Sequence, residues 1–134
     1  MSRLYNARTI ALTVGEPFKW IDNLLSHNAL PGVISSRQGV QRRVNDEGLL
    51  AVEITRILTR DLGVSISRAV ALTRTALGSR QGTEVRLSPA SGVTLILHTA
   101  EIEERLRQRV IDAIEAAAHV RRGRPPKAKA RSDR

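Results

Sequence analysis

Apolar residues recur at helical spacing in five stretches of the chain, and the stretches 33–44, 83–88 and 93–98 read as strands. Leu4, Ala7, Ile10 and Ala11 predict a helix over 3–13. Val14-Gly15-Glu16 breaks it, and Pro17 suits the first position of a second helix, where a missing N–H costs nothing. That helix carries Phe18, Ile21, Leu24 and Leu25 on one face and Lys19, Trp20, Asn23 and His27 on the other, ending at Asn28. Two short strands are expected within 33–44, turning at Arg37-Gln38-Gly39, where Gly39 can take the positive φ of a tight hairpin.

Asn45 is placed to cap a third helix, with Asp46 and Glu47 in its first turn and an apolar stripe of Leu50, Ile54, Ile57, Leu58 and Leu62 up to Gly63. Ser65 opens a fourth, with Ile66, Ala69, Val70, Thr73 and Leu77 inward and Gly78 at its end. Beyond it the period changes. Residues 83–88 alternate, residues 93–98 form a denser apolar strand, and Pro89-Ala90-Ser91-Gly92 between them predicts a hairpin. Thr99 is expected to cap a last helix over 100–120, lined by Ile102, Leu106, Val110, Ala113, Ile114 and Ala117. Glu101–Arg105 and Glu103–Arg107 are spaced as i, i+4 ion pairs. The predicted class is mainly α (α+β): about four helices and a short β-hairpin, then a second β-hairpin and a C-terminal helix. The expected units are 1–78, 79–120 and a tail, 121–134. No internal repeat is visible.

Charge sharpens the picture at the C-terminus. The 134 residues carry a formal +9. Residues 121–134 (RRGRPPKAKARSDR) hold seven basic side chains against one acid, with two prolines and no large apolar group. Such a segment buries too little surface to offset its ordering entropy, so a disordered basic arm is expected. Arg37, Arg42 and Arg43 put three more cations on the first hairpin. A balance this basic points to nucleic acid as a partner.

Chemistry is otherwise sparse. There is no cysteine, which removes disulfides, thiolate metal sites and Cys nucleophiles. His98 and His119 lack ligand-spaced partners. Glu101, Glu103 and Glu104 read as first-turn dipole partners, and no serine lies in a His–Asp setting. No catalytic, cofactor-binding or metal-ligating residue is therefore predicted, and no enzyme. The only aromatics, Tyr5, Phe18 and Trp20, come early, which disfavours base stacking on RNA. No apolar run is long enough to span a bilayer and no secretory signal is evident, so a cytoplasmic, nucleoid-associated protein is expected.

Helix, short turn, helix and glycine-tipped basic hairpin is the order of a winged helix-turn-helix. One α-helix fits the major groove of duplex DNA, where Asn can pair with adenine and Lys can reach guanine or phosphate. The predicted DNA-contacting set in the head is Lys19, Trp20, Asn23, His27, Arg37, Arg42 and Arg43. Ala29-Leu30-Pro31, Gly39-Val40-Gln41-Arg42-Arg43-Val44, Asp46-Glu47-Gly48-Leu49-Leu50 and Leu62-Gly63-Val64-Ser65-Ile66 follow one another in the order found in MerR-type regulators. Residues 17–77 resemble the DNA-binding head of that family, which implies a winged helix-turn-helix that docks on double-stranded DNA. Val40 and Val44 stand where the family carries wing tyrosines, and Asp22 where it carries a phosphate-facing arginine. The family's long dimerising helix is replaced by a hairpin and a shorter helix. In the tail, Arg122-Gly123-Arg124-Pro125 resembles the core of an AT-hook. That resemblance implies minor-groove contact by Arg121, Arg122, Gly123, Arg124 and Lys127.

One such head reads few base pairs, so a homodimer through 79–120 is expected. Ile96 and Leu97 face opposite sides of their strand, and a twin subunit is expected to cover one of them. The reading is a sequence-specific, dimeric transcriptional regulator, with repression favoured over activation. Two rivals use the same parts. One is a nucleoid-associated, architectural or partition protein. The other is an antitoxin-type protein whose C-terminal half binds a partner while its head autoregulates.

Overall fold

The structure, a computed structural model, describes residues 3–34 and 42–123. In chain order the elements are β1 (Tyr5–Asn6), α1 (Ala7–Val14), α2 (Phe18–His27), β2 (Val33–Ile34), β3 (Arg43–Val44) and α3 (Asp46–Arg56). A π turn (Ile57–Asp61), α4 (Ile66–Gly78), β4 (Val85–Ala90), β5 (Val93–Leu97) and α5 (Thr99–Gly123) follow. The described residues are mainly helical with two small antiparallel sheets, an α+β arrangement.

The first helix is shorter than its apolar spacing predicts. Asn6 caps it by accepting from the Thr9 N–H at 2.9 Å, and Tyr5–Asn6 joins a sheet instead. The Tyr5 hydroxyl donates to Asp46 Oδ1 at 2.6 Å, tying this strand to the first turn of α3. Leu4, expected inward, is 45% exposed. The sheet runs β1-β3-β2, with Val44 between Tyr5 and Val33 and Arg43 between Asn6 and Ile34.

Behind this sheet two glycines let backbones touch. A Cβ built on Gly32 would lie 2.2 Å from the Gly48 nitrogen, and one on Gly48 would lie 2.7 Å from Val44 Cβ. Gly32 has φ +81°, and its carbonyl accepts from Asn45 N–H at 3.0 Å. Asn45 in turn caps α3 as expected, accepting from Gly48 N–H at 2.9 Å.

α3 is buried nearly all round, from Gly48 to Thr55. Glu53 is 1% exposed and is held by Arg56 through Nε at 2.8 Å and Nη2 at 3.1 Å. That hydrogen bond is the main reason the Arg56 guanidinium holds its proton more tightly than usual. From Ile57 the helix widens into the π turn, closed by Leu62 N–H donating to Ile57 carbonyl at 3.1 Å. The extra residue in the turn slips the stripe's phase. Leu58 stays buried, Ile57 is half-buried, and Leu62, expected inward, is 50% exposed. α4 buries Ala69, Val70, Thr73, Ala76 and Leu77. Ile66 at its start is exposed, and Thr73 meets Thr55 hydroxyl to hydroxyl at 3.1 Å.

The second hairpin is present, with a bulge between Leu87 and Ala90. α5 packs on α1 and α3 through Ile102, Leu106, Val110 and Ala113. Four expectations for it change. Ile114 is exposed, because Ala113 occupies the centre of the buried stripe. Thr99 is the first helical residue, and its buried hydroxyl has no partner, so it does not cap by side chain. Glu103 pairs with Arg80 at 2.9 and 3.1 Å, while Arg107 pairs with Glu104 at 3.1 Å. Neither expected i, i+4 pair is among the ion pairs of the described residues. The helix continues to Gly123, three residues into the segment read as tail.

One cluster of buried side chains runs from Tyr5 to Val110, so the segments before and after residue 78 share a core. Among the described residues no helix is long and apolar enough to cross a membrane.

Candidate nucleic-acid interface

α1 and α2 are joined by Gly15-Glu16-Pro17. Gly15, at φ 76°, turns the chain out of α1, and its N–H and that of Glu16 both donate to the Ala11 carbonyl, at 2.9 and 3.1 Å. Left-handed backbone at a helix end suits a residue without Cβ. Pro17 is the N-cap of α2, one position before the site its sequence suggests. Its carbonyl accepts from Trp20 and Ile21 N–H groups.

α2 buries Ile21, Leu24 and Leu25. Phe18, expected on that face, stands at the helix start, 38% exposed, with the Arg8 guanidinium 4.8 Å from its ring centre. Lys19, Asn23 and His27 follow at intervals of four along one side, all exposed, beside exposed Asp22 and Ser26. Local bonds hold this side in place. Ser26 hydroxyl donates to Asp22 carbonyl at 2.6 Å, and Asn28 amide donates to Leu24 carbonyl at 3.1 Å. His27 Nδ1 lies 3.1 Å from Asn23 carbonyl. The Asn23 side-chain amide makes no hydrogen bond among the described residues, so both its donor and its acceptor face solvent.

Trp20 stands apart from that row. It is half-buried and packs against the core, and Arg60 of the π turn lies 5.2 Å from its ring centre. Arg60 also pairs with Glu16 of the turn, at 2.9 Å from Nη2 and 3.1 Å from Nε. A guanidinium over an indole face is attracted by the ring quadrupole. Trp20 thereby joins α2 to the end of α3, and that is a positioning contact. Arg8 and Arg60 were not among the sequence-predicted residues. Arg60 is forty positions from Trp20, and no local spacing signals the pair.

The remaining predicted residues are placed as follows. Arg43 is exposed on the central strand of the three-stranded sheet and Arg42 is half-buried just before it. Arg121, Arg122 and Gly123 form the last turn of α5. Arg37, Arg124 and Lys127 lie outside the described residues. The structure thus gathers Lys19, Asn23 and His27 on one face of α2, turns Trp20 of the same helix toward the core, and places Arg42 and Arg43, and Arg121, Arg122 and Gly123, on other elements. Among the described residues no group of three His, Asp or Glu side chains is arranged to hold a metal. No family model, curated protein or solved structure matches the chain.

Proposed function

We propose that this chain is a sequence-specific double-stranded DNA-binding protein, a dimeric transcriptional regulator that acts by occupying its site and thereby represses. The observation that carries the reading is the α2 face. A ten-residue helix is clamped by its apolar side, by Gly15 and by the Trp20–Arg60 contact, and holds Lys19, Asn23 and His27 outward in one row. A row of this kind suits the major groove, with Asn23 pairing to an adenine and Lys19 reaching a guanine or a phosphate. In this reading β1, β2 and β3 form the base of a wing, α1–turn–α2 is the helix-turn-helix, and Arg42 and Arg43 grip the backbone. The resemblance of residues 17–77 to MerR-type heads agrees with it. Arg121, Arg122, Gly123, Arg124 and Lys127 add a basic arm whose AT-hook-like stretch suits an A·T-rich minor groove.

The test separates head from arm. Fluorescence anisotropy on a duplex selected by the protein is measured across a salt series. Arg122→Ala with Arg124→Ala weakens all sequences alike and flattens the slope of log K against log salt by about 0.9 per lost phosphate contact. Asn23→Ala instead relaxes preference at one base position in each half-site, at a cost of about 1–3 kcal/mol. A chain whose binding is abolished by the arm variant and untouched by Asn23→Ala is not a helix-turn-helix reader.

A further inference from the structure

β4 and β5 make a two-stranded sheet, so among the described residues each strand has one edge without a strand partner. The two edges differ. β4 lies against α4, and Pro89 within it has no N–H to offer a further strand. Arg68 of α4 donates to the Pro89 carbonyl from Nε at 3.1 Å and Nη2 at 2.7 Å. Arg86 adds an exposed charge. A covering helix, a proline and charged side chains are the usual means of closing a sheet edge.

β5 has none of these. Its sequence is Val93-Thr94-Leu95-Ile96-Leu97, without charge, proline or glycine. Val93 is 45% and Ile96 43% exposed. Burial across the ladder shows the same asymmetry. Leu97 is paired with Val85, and Leu95 with Leu87, on one face of the sheet. Val85 and Leu87 are buried, whereas Leu95 and Leu97 are only half-buried. The inner face is complete over β4 and open over β5.

We infer that the free edge of β5 is a seam between two copies of this chain. The edge pairs antiparallel with itself about a two-fold axis at Leu95, making one four-stranded sheet. The occupant follows from the sequence of the strand. A two-fold interface must be complementary to itself. Reversed about Leu95, Val93 meets Leu97 of the second copy, Leu95 meets Leu95, and Thr94 meets Ile96. The half-buried inner-face leucines and the exposed valine form one apolar row, and no charge meets a like charge. The inference gives the dimer of the DNA-binding reading its interface, and it is tested without DNA, so the two stand or fall separately.

Sedimentation equilibrium of the full chain at tens of micromolar is the experiment, with the paired substitutions Thr94→Lys/Ile96→Lys and Thr94→Glu/Ile96→Glu. Both positions are exposed, so the fold is retained, which circular dichroism checks. The unaltered chain sediments with the mass of two chains. Each charged variant alone falls to the mass of one, because lysine then faces lysine and glutamate faces glutamate across the axis. An equimolar mixture returns to two. Ile111→Lys, on the exposed side of α5, leaves the two-chain mass unchanged. Amide exchange in the unaltered chain gives an independent readout, with residues 93–97 slowing as concentration rises. A monomeric unaltered chain, charged variants that remain dimeric, a mixture that stays monomeric, loss of the dimer through Ile111→Lys, or exchange at 93–97 that ignores concentration would each overturn the seam.

Discussion

Gly48 and Gly78 both sit in helices, and their surroundings are opposite. A methyl group at Gly48 would meet Val44 Cβ at 2.7 Å and Gly32 carbonyl oxygen at 2.9 Å, all of it backbone or a fully buried side chain. Nothing lies within 4 Å of a methyl group at Gly78. Gly48→Ala is therefore expected to cost about 1–3 kcal/mol through overpacking. Gly78→Ala is expected to stabilise by roughly 0.5 kcal/mol, since Ala is the better helix former. Thermal unfolding of the two variants checks the pair, and equal shifts would contradict the close approach of residues 32 and 48. Tyr5 offers a second test. Burial pushes its pKa up to about 12, and the hydrogen bond to Asp46 and the charge of that carboxylate add to the shift. The neutral phenol is the form the fold favours. Its contribution to stability is full below about pH 10 and is lost as pH rises through about 12. Tyr5 is the only tyrosine in the chain, so phenolate absorbance reports it alone. The titration midpoint is expected near 12 in the folded protein and near 10 in denaturant. A folded-state midpoint near 10 would show that Tyr5 is neither buried nor held by Asp46.

Among the elements, α3 carries the greatest burial and the most demanding charge. Glu53 is 1% exposed and Arg56 supplies both of its hydrogen bonds. Arg56→Ala leaves a buried carboxylate without its partner, a loss of about 3–5 kcal/mol. Replacing both residues by leucine is expected to recover most of that, since the desolvation cost of the pair disappears with it. Urea denaturation of the single and double variants decides it, and a double variant as unstable as Arg56→Ala would contradict the burial argument. The same helix shows what its sequence conveys and what it does not. Its N-terminus was legible because Asn45 and the acids after it act locally on four adjacent residues. So were the clusters that became α2, α4, the second hairpin and the buried side of α5. Leu62 departs from the periodicity because the π turn slips the phase of the stripe, and neither a glycine nor a proline within Ile57–Asp61 marks that slip. β1 is not legible in the sequence because Tyr5–Asn6 falls within helical spacing, and only a partner strand some forty residues away draws it into the sheet. Of the candidate site, Lys19, Asn23 and His27 were legible as a helical row. The Arg60–Trp20 contact was not, since it spans the length of the chain between α2 and the end of α3.

For the whole molecule, the row on α2 is joined to the rest by one continuous core that reaches α5. Residues 79–118 are consequently part of the support of the proposed DNA-binding head, not an appendage to it. The charge is distributed in the opposite sense. Two thirds of the net +9 lies in the last fourteen residues of the sequence. In the proposed function, sequence preference belongs to the body and general affinity to the arm. A helix face reads bases through hydrogen bonds, whereas an extended basic segment follows phosphates and groove width. The most direct measurement of the central claim is selection of a random duplex library by the full chain near physiological salt, alongside Lys19→Ala and Asn23→Ala. Enriched sites with two-fold symmetric halves about one helical turn apart are expected, with a loss of preference at one position per half for Asn23→Ala. Enrichment of A·T-rich sequence without a defined site, or a site indifferent to both α2 substitutions, would contradict it.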